Sequence, residues 1–415
     1  MTFVVANTRI ISLRCRGSNP MSEPAGNAFN TVFLALGFRP FYLLAAIFAF
    51  LALPLWIASY TGLVQWDGYL RGTFWHGHEM IFGFAPAVMA GFLLTAARNW
   101  TGQPTLSGAK LGMLAALWVL ARVAVLTGPG TAAVVLDVAF LPLLGVAVAV
   151  PIWRSRNARN YKILLVLTLL AAANLVYHLS YLNVFPADFM RPAFTAALDV
   201  FTILMAIVGG RVIPAFTANA VASAKPRHIR SVEVLALGSL VLILAADVMS
   251  WRYTLPPLAW VILLAVAAVA HGIRLGLWQP LRTVHNTLLC MLPLAYAWIP
   301  VSLALRLSAH AWNIPTAASI HALTIGAIGG LMLAMMTRSA LGHTARPLRA
   351  GWSETAAFIL IQLAAAVRVG ATFIPGQYYR QAVVAAGVLW SLAFAVFLIR
   401  YWAILTRPRI DGQPG

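Results

Sequence analysis

The sequence predicts an all-α polytopic membrane protein, a bundle of about twelve transmembrane helices. Three observations lead there. Of 415 residues, 61% are hydrophobic and 9% charged, whereas a soluble domain is roughly one quarter charged. So few charges cannot solvate a soluble globule of this length, but they can serve the two water-facing ends of a membrane bundle. Twelve apolar runs each approach the ~20 helical residues that a bilayer core requires. Helices rather than strands follow from these unbroken runs, because a lipid-exposed backbone must satisfy its own hydrogen bonds.

The expected spans are 38–60, 75–97, 108–127, 131–152, 161–184, 192–215, 232–250, 256–277, 285–306, 316–337, 352–373 and 379–404. Loops between them are short, so residues 31–406 read as a single transmembrane domain, followed by a cytoplasmic tail at 407–415. Residues 1–30 are polar and basic, with no apolar stretch long enough for a secretory signal. They read as a disordered or mis-assigned extension, with Met21 an alternative start. The two cysteines, Cys15 and Cys290, provide neither a disulfide framework nor a cysteine metal site.

The formal charge of +19 would suit a nucleic-acid partner, but its distribution argues against one. Alternate loops hold clusters such as Arg154, Arg156, Arg159 and Lys162, or Lys225, Arg227 and Arg230. The intervening loops hold one basic residue or none, among them Arg71, Arg252, Arg306 and Arg380. This asymmetry places both termini in the cytoplasm of a bacterial-type inner membrane. The bilayer is therefore the expected partner, with some attraction to anionic lipid.

Ionisable groups inside spans are costly and so mark function. On this topology His76, His78, Glu79, His178, Asp199 and His321 share the outer third of the membrane. Imidazole suits copper, iron and zinc and is the usual proximal ligand of haem iron. A nearby carboxylate can orient such a ligand. His78, His178 and His321 are the leading metal-ligand candidates, His76 is a fourth, and Glu79 and Asp199 are supporting carboxylates. His76 and His78 point ~200° apart on a regular helix, so they face two centres or only one of them ligates. His271 and His285 read as structural, and Met332, Met335 and Met336 as packing residues. Arg122 and Asp137 form an expected pair across Gly128-Pro129-Gly130. Arg211 closes the sixth span, where it either snorkels to the interface or meets an anionic group such as a haem propionate.

The second, sixth and tenth spans share a weak internal pattern. Each opens near a polar residue (His78, Asp199, His321) and closes near an arginine (Arg98, Arg211, Arg338). Three quasi-repeated four-helix units would produce it.

Several motifs resemble those of the NnrS family. They are Leu36-Gly37-Phe38-Arg39-Pro40-Phe41, Trp75-His76-Gly77-His78-Glu79-Met80, Asn99-Trp100-Thr101-Gly102, Gly209-Gly210-Arg211-Val212-Ile213-Pro214, His321 with Gly326, Gly329 and Gly330, and Met336-Thr337-Arg338 leading to Leu341-Gly342-His343. The resemblance covers nearly the whole chain beyond residue 30. It implies a twelve-helix inner-membrane protein that binds haem and copper and is tied to nitric oxide metabolism, denitrification and nitrosative stress, with nitric oxide or nitrosylated iron as its ligand. The helix count and histidine placement also distantly resemble the catalytic subunit of haem–copper oxidases, although the sixth span here offers Asp199 in place of a histidine. The competing expectation is a multi-pass transporter of a metal, haem or a nitrosyl-iron compound without redox turnover.

Overall fold

The structure, a computed structural model, describes residues 32–413. The N-terminal extension expected over residues 1–30 lies outside the described residues. Those described are helical, with short connections and no strand among them. Twelve helices are long and apolar enough to cross a membrane: α1 (Phe38–Tyr60), α2 (Gly72–Thr101), α3 (Gly108–Thr127), α4 (Gly130–Arg154), α5 (Ala158–Tyr181), α6 (Ala187–Ala220), α7 (Arg230–Met249), α8 (Pro257–Leu277), α9 (Thr287–Trp312), α10 (Ala317–His343), α11 (Trp352–Phe373) and α12 (Gly376–Thr406). The chain is a multi-pass membrane protein.

The helices extend beyond most of the apolar runs that announce them. Hydropathy marks the hydrocarbon core, while the backbone remains helical where polar residues begin. This corrects the placement of Arg306 and His310, expected in a loop. Both lie within α9, where Arg306 donates to Asp247 and His310 stacks on Trp260.

Helices adjacent in sequence pack together, and α12 lies along α1 to close the ring. Three helices are set inward. Of the most apolar window, 83% is buried in α2, 67% in α6 and 72% in α10, against 28–56% in the others. These are the helices that carry the internal sequence pattern. Small residues allow their approach. The Gly210 backbone lies against the Arg274 guanidinium, and Gly326 lies against the Trp298 ring.

Two of the inner helices are irregular at the same place. A π-helical segment, Glu79–Phe84, follows His78 in α2, and another, Ala322–Gly329, follows His321 in α10. Such segments shift the phase of a helix and release backbone carbonyls, and they are frequent at functional sites. The Gly83 carbonyl accepts a hydrogen bond from the Trp118 indole at 3.0 Å.

Arg274, Glu233 and His271 form a largely buried group with a structural role. Arg274 donates to both oxygens of Glu233 at 2.9 and 2.7 Å. His271 spends both ring nitrogens on this neighbourhood, with Tyr296 at 2.7 Å and the Ala236 carbonyl at 3.0 Å. His285 is exposed. The Trp298 indole is itself anchored to Gln362 at 2.7 Å, so it cannot readily yield to a larger neighbour. Gly326→Ala should therefore destabilise the bundle by about 1–3 kcal/mol, read as a lowered Tm of the detergent-purified protein.

Candidate metal centre

Three helices bring together His78 of α2, Asp137 of α4 and His178 of α5, all buried. The Nε2 atoms of the two histidines are 3.1 Å apart. Asp137 Oδ2 stands 2.9 Å from His178 Nε2 and 3.3 Å from His78 Nε2. Donors around one tetrahedral ion with ~2.0–2.1 Å bonds are roughly 3.3 Å apart, so the triangle has the size of a three-ligand metal set. Asn174 adds to it. Its amide donates to Asp137 Oδ2 at 2.7 Å, and its carbonyl oxygen lies 3.1 Å from His78 Nε2.

The chemistry of this set favours a cation. Once Nδ1 carries the imidazole hydrogen, two Nε2 lone pairs and Asp137 Oδ2 lie within 3.3 Å of one another, and the Asn174 amide satisfies only the carboxylate. Both histidines can adopt that tautomer. His78 Nδ1 has Glu79 Oε1 at 3.0 Å, and His178 Nδ1 has the Tyr69 hydroxyl at 3.1 Å. Orienting partners of this kind accompany most metal-bound histidines. Tyr69 lies in the loop before α2, where burial first and then neighbouring Tyr181 hold its phenol above the ordinary range. It is thus a neutral partner.

Arg122 of α3 completes the group. Its Nη1 donates to Glu79 Oε1 at 2.6 Å, and its Nη2 is ion-paired with Asp137. One guanidinium thus serves two buried carboxylates, leaving one negative charge over. That remainder is another reason for a cation to enter.

The expected gathering of four histidines is divided by α2 itself. His76 faces away from His78, as ~200° of helical rotation requires. With His321 it lines a separate, mainly apolar cavity of about 250 Å³ between α1, α2, α10, α11 and α12. His76 stacks on Trp56 with ring centroids 4.2 Å apart, and its Nδ1 has no hydrogen-bond partner among the described residues. His321 Nδ1 donates to the Ala317 carbonyl at 2.7 Å, which leaves Nε2 available to a ligand. Arg368 lines the same cavity, with a buried Nη1 that has no hydrogen-bond partner among the described residues.

Asp199 joins neither group. It lies 3.6 Å from Arg306, which also donates to both oxygens of Asp247 at 2.6 Å. The depth assigned from sequence was shared, but α6 turns Asp199 toward α7 and α9. Arg211 lies near the far end of α6, 3.3 Å from Asn160 Oδ1. The residues that sequence reasoning missed are Asp137 as a donor, Asn174 and Tyr69. A signal existed for Asn174, since it precedes His178 by four residues and so shares its helix face. Tyr69 left no comparable sign.

The ring of spanning helices and its buried histidine–carboxylate cluster define a multi-pass membrane protein with a site able to hold a metal. The family model described as NnrS protein matches residues 32–409, and the chain belongs to that family. No curated protein matches the chain.

Removing Arg122 would leave Glu79 and Asp137 buried without a counter-charge. Arg122→Ala should destabilise the protein by about 3–5 kcal/mol, and adding Glu79→Gln should recover part of the lost Tm.

Proposed function

We propose that this protein is a haem- and copper-binding inner-membrane protein of the NnrS type, involved in nitric oxide metabolism and resistance to nitrosative stress. The observation that carries the reading is the convergence of His78 Nε2, His178 Nε2 and Asp137 Oδ2, at 2.9–3.3 Å, with one negative charge left over. Nitrogen and carboxylate donors without a thiolate suit copper among the metals the family resemblance implies. For the haem that the family resemblance implies, the second cavity offers His321 Nε2, with His76 facing the same space, apolar walls and Arg368 to meet a propionate, and it would have to widen from about 250 Å³ to take the whole macrocycle. The alternation of basic loops supports cytoplasmic termini.

When bound, haem would supply an iron that binds nitric oxide, and copper would supply a redox-active ion. The chain's own residues do the rest. Glu79 and Tyr69 fix the imidazole tautomers, Arg122 limits the net charge of the cluster, and Trp56 holds the His76 ring. Ile81, Phe84, Ile325 and Trp390 keep the haem cavity apolar and exclude water.

The two sites should separate experimentally. His78→Ala or His178→Ala should remove copper from the purified protein, measured by elemental analysis, while leaving a haem absorption band. His321→Ala should remove that band while copper is retained. Tyr69→Phe should weaken copper binding by about 10–100-fold. Nitric oxide should shift the haem spectrum of the unaltered protein. Stoichiometric absence of both groups from membranes supplied with haem and copper would overturn the reading and favour a transporter.

A further inference from the structure

At the end of the bundle where α1 begins and α12 ends, α2, α6 and α10 part around a second large cavity, of about 470 Å³. Motifs far apart in sequence meet there. Asn99 and Trp100 come from α2, Arg211 from α6, and Arg338 and His343 from α10. Neither the metal cluster nor the haem cavity uses any of them.

The charge of this cavity is one-sided. Arg211 and Arg338 are half-buried in its lining, which contains no carboxylate. Among the described residues Arg211 has a single hydrogen bond, to an amide oxygen 3.3 Å away. Arg338 lies 3.9 Å over the Phe216 ring, and among the described residues it has no hydrogen bond or ion pair. The membrane-embedded acids are engaged elsewhere, with Arg122, Arg274, Arg306 and Arg400. Arg159 and Lys162 stand close enough to repel Arg211 and add to the positive field. Two guanidiniums drawn from water without a counter-ion favour an anion, and their planar forks suit phosphate. The remaining walls are mostly apolar, including Phe92, Val208 and Phe216. Basic pockets between membrane helices on the side of the basic loops accept anionic lipid head groups.

We propose that this cavity binds an anionic phospholipid, with its phosphate between Arg211 and Arg338 and an acyl chain along Phe92 and Phe216. The site is independent of the metal centres, so its test does not rely on them. The full-length protein, purified in a neutral detergent and stripped of lipid, is titrated with mixed micelles of phosphatidylglycerol or phosphatidylcholine, or with inorganic phosphate. Tm and retained lipid, by native mass spectrometry, are the readouts. Phosphatidylglycerol should raise Tm and be retained, and phosphatidylcholine should do neither. Arg211→Gln and Arg338→Gln should each weaken the response about tenfold, and Arg338→Lys should weaken it less. Arg98→Gln, an exposed charge at the same end, should leave it unchanged. An equal response to phosphatidylcholine, or an undiminished response in the doubly substituted Arg211→Gln/Arg338→Gln protein, would overturn the proposal. A shift of the same size with inorganic phosphate alone, with the same arginine dependence, would overturn the lipid in favour of a soluble phosphate.

Discussion

Arg122 makes the histidine–carboxylate cluster possible. A carboxylate inside a bilayer is expensive, and two within reach of each other are more so. Glu79 and Asp137 can both remain charged only because one guanidinium lies between them. That bridge fixes the distances among α2, α3 and α4. It aims Asp137 Oδ2 at the two histidines and Glu79 Oε1 at His78 Nδ1. Gly83 leaves the room that the arginine occupies, since a methyl group there would meet Arg122 Nη1 at 2.6 Å. A single cation thus sets the geometry, the charge and the packing of this part of the bundle.

The same arrangement recurs in the other half of the molecule. Arg306 meets Asp199 and Asp247, again one cation for two acids, whereas Arg274 serves Glu233 alone. His310 lines the same cavity as these acids and stacks on Trp260, but among the described residues it belongs to no converging three-donor set, so the second group has the charge of the first without its assembled ligands. The two halves therefore share an electrostatic design but differ in the donors that would decide metal affinity.

Much of this was legible in the sequence. Apolar runs located all twelve spans, since a helix in lipid has no other way to satisfy its backbone. The pair Arg122 and Asp137 was legible because neither is tolerable alone. The division of the histidines was half legible: the rotation between His76 and His78 allowed two centres, but depth alone suggested one. Depth is only one coordinate. Which way α6 and α10 face around the bundle is set by tertiary packing, and this sent Asp199 and His321 to different partners. The π-helical segments after His78 and His321 left no periodic trace, because a single inserted residue alters phase without altering hydropathy. Tyr69 was invisible for a different reason. It lies in a loop whose path depends on the helices it caps.

His76 and His78, two residues apart on α2, carry a consequence of their own. One rigid element supplies a side chain to each of two separate sites, so a rotation or slide of α2 that suits one site is felt at the other. A ligand that draws His78 toward His178 thereby changes the position of His76 against Trp56, and a ligand held by His76 does the reverse. Thermodynamic linkage makes any such influence reciprocal. On the proposed function the helix is then a lever with its two loads on opposite sides, and the affinities of the two proposed sites are a joint property of how α2 is seated.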